Sequence, residues 1–289
     1  SFYQDFAGAG RRHWPGRRNQ DIRPTDVMAW PTNIGWMMGP WLIYAALANQ
    51  ATIALYEGVP TGAGFLDFLR TTRTSMLGVV PAIVRAWKQA GSIGPHGLPD
   101  VKVFSSTGEA SNAQDYLYLM SLAGHQAPII EYCGGTEIGG AHITGSVLRP
   151  AAPATFSTPA MGLDFVILDD ADRPVGAGEH GQIYLVPPSL GLSQHLLNRD
   201  HDKEYYEGVP PGPDGQQLRR HGDEVHVLQG GFWAAGGRAD DTMNLGGIKV
   251  SSAELERSLK GVSGLVESAA IAINPLDGGP SQLVIYAVT

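Results

Sequence analysis

The chain has 289 residues, of which 43% are hydrophobic, a formal net charge of -8 and one cysteine. That length buries a core of a single domain or of one domain and part of a second, and the acidic balance argues against nucleic acid as a partner, because neutralising phosphates takes a basic face. The lone Cys133 excludes an intrachain disulfide and fits a reducing compartment; beside Gly134, with no evident His partner in the sequence, it reads as a small packed residue rather than a nucleophile.

Taken in chain order, residues 1–25 form a Gly- and Arg-rich stretch, with Arg11, Arg12, Arg17 and Arg18, that reads as solvated charge. From Ile34 to Leu55 no charged residue occurs, long enough to span a bilayer. Pro40, Asn49 and Gln50 interrupt it, so the expected reading is a buried helix near Pro40 to Ala48 followed by a buried strand at Thr52 to Tyr56, not a membrane span. Phe65 to Arg73 has helical spacing, Met76 to Val80 reads as a strand, and Ala82 to Ala90 as a helix stopped by Gly91. Val101 to Ser105 reads as a strand, Ala113 to Ala123 as a helix, and Ile129 to Tyr132 as a strand leading to a Gly-Gly turn. This βαβα order predicts an α/β protein with a doubly wound sheet. From Thr155 to Val186 strands follow one another through turn signals, as in an antiparallel or barrel-like piece, and Val186 to Gln217, rich in Pro and Gly, reads as a long surface connection. Near the end, Ser251 or Ser252 opens a helix by capping logic, and Gln282 to Val288 is strand-like.

Four polar clusters punctuate this pattern: Ser105-Ser106-Thr107-Gly108-Glu109-Ala110-Ser111, Tyr132-Cys133-Gly134-Gly135-Thr136-Glu137, His221-Gly222-Asp223, and Gly237 to Glu256 with Arg238, paired Asp240 and Asp241 and a Gly-rich turn. Each has an ordinary reading as well: Thr136 and Glu137 suit a helix N-terminus, Ser111 or Asn112 an N-cap, and His-Gly-Asp a solvated turn. Their shared order is what carries weight. Together with Trp30 to Gly39, Gly78 to Ala82 and Val166 to Leu185, they resemble the adenylate-forming acyl-CoA synthetase superfamily, in particular its acetyl- and acetoacetyl-CoA synthetase branch and the plant-type peroxisomal acyl-activating enzymes.

The resemblance implies an AMP-forming acid–CoA ligase that joins a carboxylic acid to ATP as an acyl adenylate and then to coenzyme A. It assigns Gly108, Glu109 and Ala110 to adenine, Thr136 to the α-phosphate, Glu137 to Mg2+, Asp223 to the ribose hydroxyls, Arg238 to ribose or phosphate, and Lys249 to a phosphate contact. Thr136 and Glu137 are the catalytic candidates. Gly134 stands where short-acyl relatives carry a bulky Trp, which implies an open acyl pocket. Asp240 is the expected hinge between a partial large domain, residues 26–239, and a partial mobile α+β domain, residues 240–289. No segment before Trp30 has phosphate-loop spacing, and the Lys-containing C-terminal segment of the family is not found before Thr289, so the expectation is a chain truncated at both ends. A non-catalytic nucleotide-binding remnant or a fragment of a longer ligase is the alternative, with a complementary fragment or homo-oligomer as partner and an intracellular, cytoplasmic or peroxisomal, location.

Overall fold

The computed structural model describes residues 19–109, 111–189, 191–239, 242–245, 248–273 and 282–289, with the backbone alone at 242, 244, 245, 248, 249 and 282. Seven strands form the first sheet: β1 (Val27–Ala29), β2 (Thr52–Ile53), β3 (Met76–Val79), β4 (Val103–Ser106), β5 (Ile129–Gly135), β6 (Gly140–Thr144) and β7 (Thr158–Pro159), in the order β2-β1-β3-β4-β5-β6-β7. The first five pair in parallel, and β6 and β7 are added antiparallel, so the sheet is mixed.

Four helices cover its two faces: α1 (Met38–Asn49), α2 (Ala63–Thr71), α3 (Pro81–Ala90) and α4 (Ala113–Leu122). The strands alternate with period two, as a strand buried on both faces must. Met28, Met76, Val103 and Ile130 enter a core with Trp41, Leu42 and Ala45 of α1. Ala29, Leu77, Phe104 and Ile129 enter a second core with Phe65, Val84, Trp87 and Leu119 of the other three helices. Gly91 ends α3 in the left-handed conformation at φ 58°, and Asn112 caps α4 by accepting the Asp115 amide.

Three expectations need adjusting. The strand expected over Thr52 to Tyr56 is two residues long, because only those two pair with β1 at the sheet edge. Helix α1 is not buried all round: Tyr44 and Leu47 face outward. No Gly-Gly turn follows Tyr132; β5 runs on through Gly135, paired with β6, into a short 3-10 turn at Thr136–Ile138. Among the described residues no helix is long and apolar enough to cross a membrane.

The antiparallel piece is a four-stranded sheet of β8 (Asp164–Leu168), β9 (His180–Val186), β10 (Arg219–Leu228) and β11 (Phe232–Arg238), in the order β11-β10-β9-β8. Ile167, Ile183 and Val225 pack it against Ile143 of β6 and Phe156. The expected long connection before β10 contains one short helix, α5 (His201–Tyr205). Its Tyr205 ring lies 3.9 Å from the guanidinium carbon of Arg219, which is fully buried.

Beyond β11 come a hairpin of β12 (Thr242–Leu245) and β13 (Ile248–Ser251), helix α6 (Ser252–Leu259), and a second hairpin of β14 (Glu267–Ile273) and β15 (Gln282–Val288). Ser251 stands at the N-cap of α6 as expected, yet its hydroxyl makes no cap bond and is buried without a partner among the described residues.

Candidate functional site

Two bulges shape the junction between the sheets. In β6 the register against β5 passes from Ile143 opposite Cys133 to Ala141 opposite Gly134, which leaves His142 as an extra residue. In β10 the register against β9 jumps from Arg220 opposite Tyr184 to Glu224 opposite Gln182, so His221, Gly222 and Asp223 face the single Ile183. Such bulges bend a strand and re-aim side chains. Gly222 takes φ 92°, a conformation that disfavours a side chain, and a Cβ there would also meet the Arg238 guanidinium at 2.6 Å.

The bulges bring polar groups together that lie far apart in sequence. Asp223 is the hub. Its Oδ1 accepts from Arg238 Nη1 at 3.2 Å, and its Oδ2 lies 3.1 Å from His221 Nε2 and accepts from the Cys133 thiol at 3.2 Å. Arg238 Nη1 also donates to the His221 carbonyl at 3.0 Å. On its far side, His221 Nδ1 is 3.3 Å from Glu137 Oε1. Burial alone pushes the Asp223 carboxyl upward, but the hydrogen bond and attraction of His221, helped by His142 and the Cys133 thiol, outweigh it and hold the group well below the usual carboxylate range. The Cys133 thiol is pushed up, first by burial and then by the neighbouring carboxylate.

His142 is fully buried, and its ring centroid lies 4.5 Å from that of His221. Burial, then the nearby His221, drives its pKa far down, so the ring is neutral. Sequence reading missed this residue, and it found no His partner for Cys133; the chain offers both in one place only because β5 and β6 are adjacent. The Cys133, His142 and Asp223 ligand atoms all lie within 4.8 Å of one another.

Glu137 lines two cavities. One, of about 770 Å3, has walls that include Trp30, Trp36, Met37, Gly108, Gly134 and Thr136. The other, of about 790 Å3, includes Arg199, Lys203, His221, Gly222 and Arg238. Thr136 and Glu137 follow β5 directly, and the loop after β4 is held to that strand by Thr107 Oγ1 donating to the Tyr132 carbonyl at 3.0 Å. Gly108 takes φ 100°. Glu109, exposed, reaches Arg85 at 3.5 Å. A Cβ on Gly135 would meet the Glu137 carboxylate, the far end of a flexible side chain. Gly134 lines the first of these cavities, but its missing Cβ would strike the Gly140 carbonyl of β6, so close backbone approach already requires glycine there. Ala110 and Asp240 lie outside the described residues, and Lys249 is described by its backbone in β13 alone.

A parallel sheet with polar residues gathered beyond β4 and β5, abutting a bulged antiparallel sheet, is the fold of the adenylate-forming CoA ligases. An anthranilate CoA ligase solved in complex with anthranoyl-AMP superposes with a TM-score of 0.76 at 20% identity, over 98% of this chain and 51% of that one. No protein-family model matches the chain. By sequence it corresponds to a stretch of the acyl-CoA synthetases of that superfamily. It is 50% identical over 271 residues to a probable peroxisomal acyl-activating enzyme 17 of Arabidopsis thaliana, covering 93% of this chain and 37% of that protein. It is 48% identical over 276 residues to a hexanoyl-CoA synthase of Cannabis sativa, covering 94% of this chain and 38% of that protein. The chain thus spans little more than a third of the length of these relatives.

Proposed function

We propose that this chain supplies the nucleotide and acyl contacts of an AMP-forming acid–CoA ligase, which converts a carboxylic acid and ATP to an acyl adenylate and then to an acyl-CoA. The observation that carries the reading is the convergence, through His221, of Glu137 with the Asp223–Arg238 pair, beside two cavities that Glu137 lines and one of which Thr136 also lines.

The residues present fit a nucleotide. An ionised carboxylate has about four acceptor directions, and the thiol, His221 and Arg238 occupy three of those of Asp223, leaving one on Oδ1 for a ribose hydroxyl. Arg238 adds donors at the same edge. Thr136, exposed at the cavity that Glu137 also lines, offers a hydroxyl donor for the α-phosphate. Glu137 offers the carboxylate oxygen that would hold Mg2+, whose chemistry when bound is to neutralise phosphate charge. Gly108, Glu109 and Ala110 would lie against adenine, Lys249 would contact phosphate, and Asp240 would act as the hinge, as the resemblance implies.

For the acid, the apolar wall of Trp30, Trp36, Met37 and Met38 supports an acyl chain longer than acetate. The relationship to a hexanoyl-CoA synthase supports the same class. The test is calorimetry with AMP. The parent chain binds AMP, and Asp223→Ala, still folded, loses about 2 to 3 kcal/mol of affinity, the range for a charge-assisted hydrogen bond to a buried carboxylate. Equal affinity in a folded variant would leave His-Gly-Asp as a structural bulge and overturn the assignment.

A further inference from the structure

We propose that Cys133, His142 and Asp223 form a binding site for one borderline-soft divalent cation, Zn2+ or a chemical equivalent, at the junction of the two sheets. The three donors already cluster: Asp223 Oδ2 is 3.2 Å from Cys133 Sγ and 3.8 Å from His142 Nε2, and every pair is within 4.8 Å. In a tetrahedral zinc site with bonds of about 2.0 to 2.3 Å, ligand atoms stand about 3.3 to 3.7 Å apart. Small side-chain rotations therefore suffice to close these donors around an ion.

An independent observation points to a ligand. His142 is fully buried and neither of its ring nitrogens has a hydrogen-bond partner among the described residues. Leaving such a group unsatisfied costs about 1 to 3 kcal/mol, and the bulge in β6 holds it aimed at Asp223. The donor set of one sulfur, one nitrogen and one oxygen suits zinc rather than Mg2+ or Ca2+.

The surroundings complete the arrangement. His221 spans Asp223 and Glu137, as an outer histidine fixing the orientation of a liganding carboxylate does. Binding costs the Cys133 thiol its proton, which passes to solvent. Thiolate, carboxylate and dication then sum to zero charge in a mostly buried space. A bound ion takes Oδ2 of Asp223 and draws charge from the carboxylate whose Oδ1 would accept the ribose hydroxyl, so it weakens nucleotide binding. That consequence rests on the role proposed for Asp223 above; the metal site itself does not.

The experiment titrates metal-free protein with Co2+ under anaerobic conditions and then chases with Zn2+. One equivalent should produce a near-ultraviolet thiolate-to-cobalt charge-transfer band that Zn2+ abolishes. Cys133→Ser should remove the band, and His142→Gln should weaken binding at least tenfold, each with its thermal transition intact. A parent without the band, or Zn2+ affinity unchanged in whichever of the two variants folds, overturns the site. In the parent, saturating Zn2+ should lower AMP affinity at least tenfold, and not in Cys133→Ser. A confirmed metal site with unchanged AMP affinity refutes this coupling and, with it, Asp223 as the ribose ligand.

Discussion

Glu131 and Asp223 are both sunk beside β5, on β5 itself and on the facing β10, and they behave oppositely. Glu131 accepts from the Tyr116 hydroxyl at 2.6 Å and from the Ser111 hydroxyl, while its Oε2 is buried without a partner among the described residues. Burial outweighs those two neutral donors, and its carboxyl is pushed up to about 7. Asp223 feels the same upward push and ends below the usual range, because its neighbours are His221, with His142 and the Cys133 thiol, instead of hydroxyls alone. Burial has the same sign for both acids; the kind of donor decides which one stays ionised. One region therefore favours the protonated acid inside the fold, the other keeps a charge beside His221 and Arg238.

The sharpest way to break this comparison is Glu131→Gln. In the folded chain Glu131 keeps its proton up to a pH of about 7, whereas in the unfolded chain it gives it up near about 4.3. Stability therefore falls as pH rises between those two values, by about 3 kcal/mol at 1.36 kcal/mol per unit. Denaturant melts of Glu131→Gln at pH 4.5 and pH 7 should lack that decline. A slope equal to that of the parent would mean that Glu131 is ionised in the fold.

Next in size is Gly222→Ala, which probes the other region. The positive φ and the collision with Arg238 together predict a loss of about 1 to 3 kcal/mol. Gly231→Ala separates the two causes, since Gly231 also has positive φ, 78°, but no atom lies within 4 Å of its missing Cβ. It should cost only the backbone strain of about 1 kcal/mol and leave AMP binding unchanged, whereas Gly222→Ala should weaken it. Identical melting and AMP affinity for the two variants would remove Arg238 from the argument. The smallest expected effect is that of Asn112→Ala, which deletes the cap of α4 beside Glu131 and should cost about 1 kcal/mol in melting. Its pH slope should match that of the parent, because the cap does not touch the carboxylate.

The parallel half of the fold was legible because burial on both faces writes itself as short apolar runs. Met76 to Val80 and Ile129 to Tyr132 could hardly be anything but inner strands, and Gly91 stops its helix as glycine does. Asp223 and Arg238 were legible as a pair from motif order, and they do meet. What stayed hidden depended on neighbours distant in sequence. His142 sits in an unremarkable apolar run, and only a bulge turns it toward Cys133. Gly134 was read as space for an acyl chain, but the direction of its missing Cβ is set by β6 and was not readable from β5 alone. The length of β2 depended on how much of it finds a partner at the sheet edge.

The bulge in β10 also constrains how this strand can vary between relatives. Its three residues oppose one, an excess of two, so Arg219, His221, Asp223 and Val225 all remain on the inner face, and Arg219 and Val225 are both fully buried. Deleting one residue there would rotate everything downstream by half a period and turn Val225 outward. Insertions and deletions in this segment should therefore be tolerated only in pairs, so the spacing from Arg219 to Val225 should vary in steps of two if it varies at all.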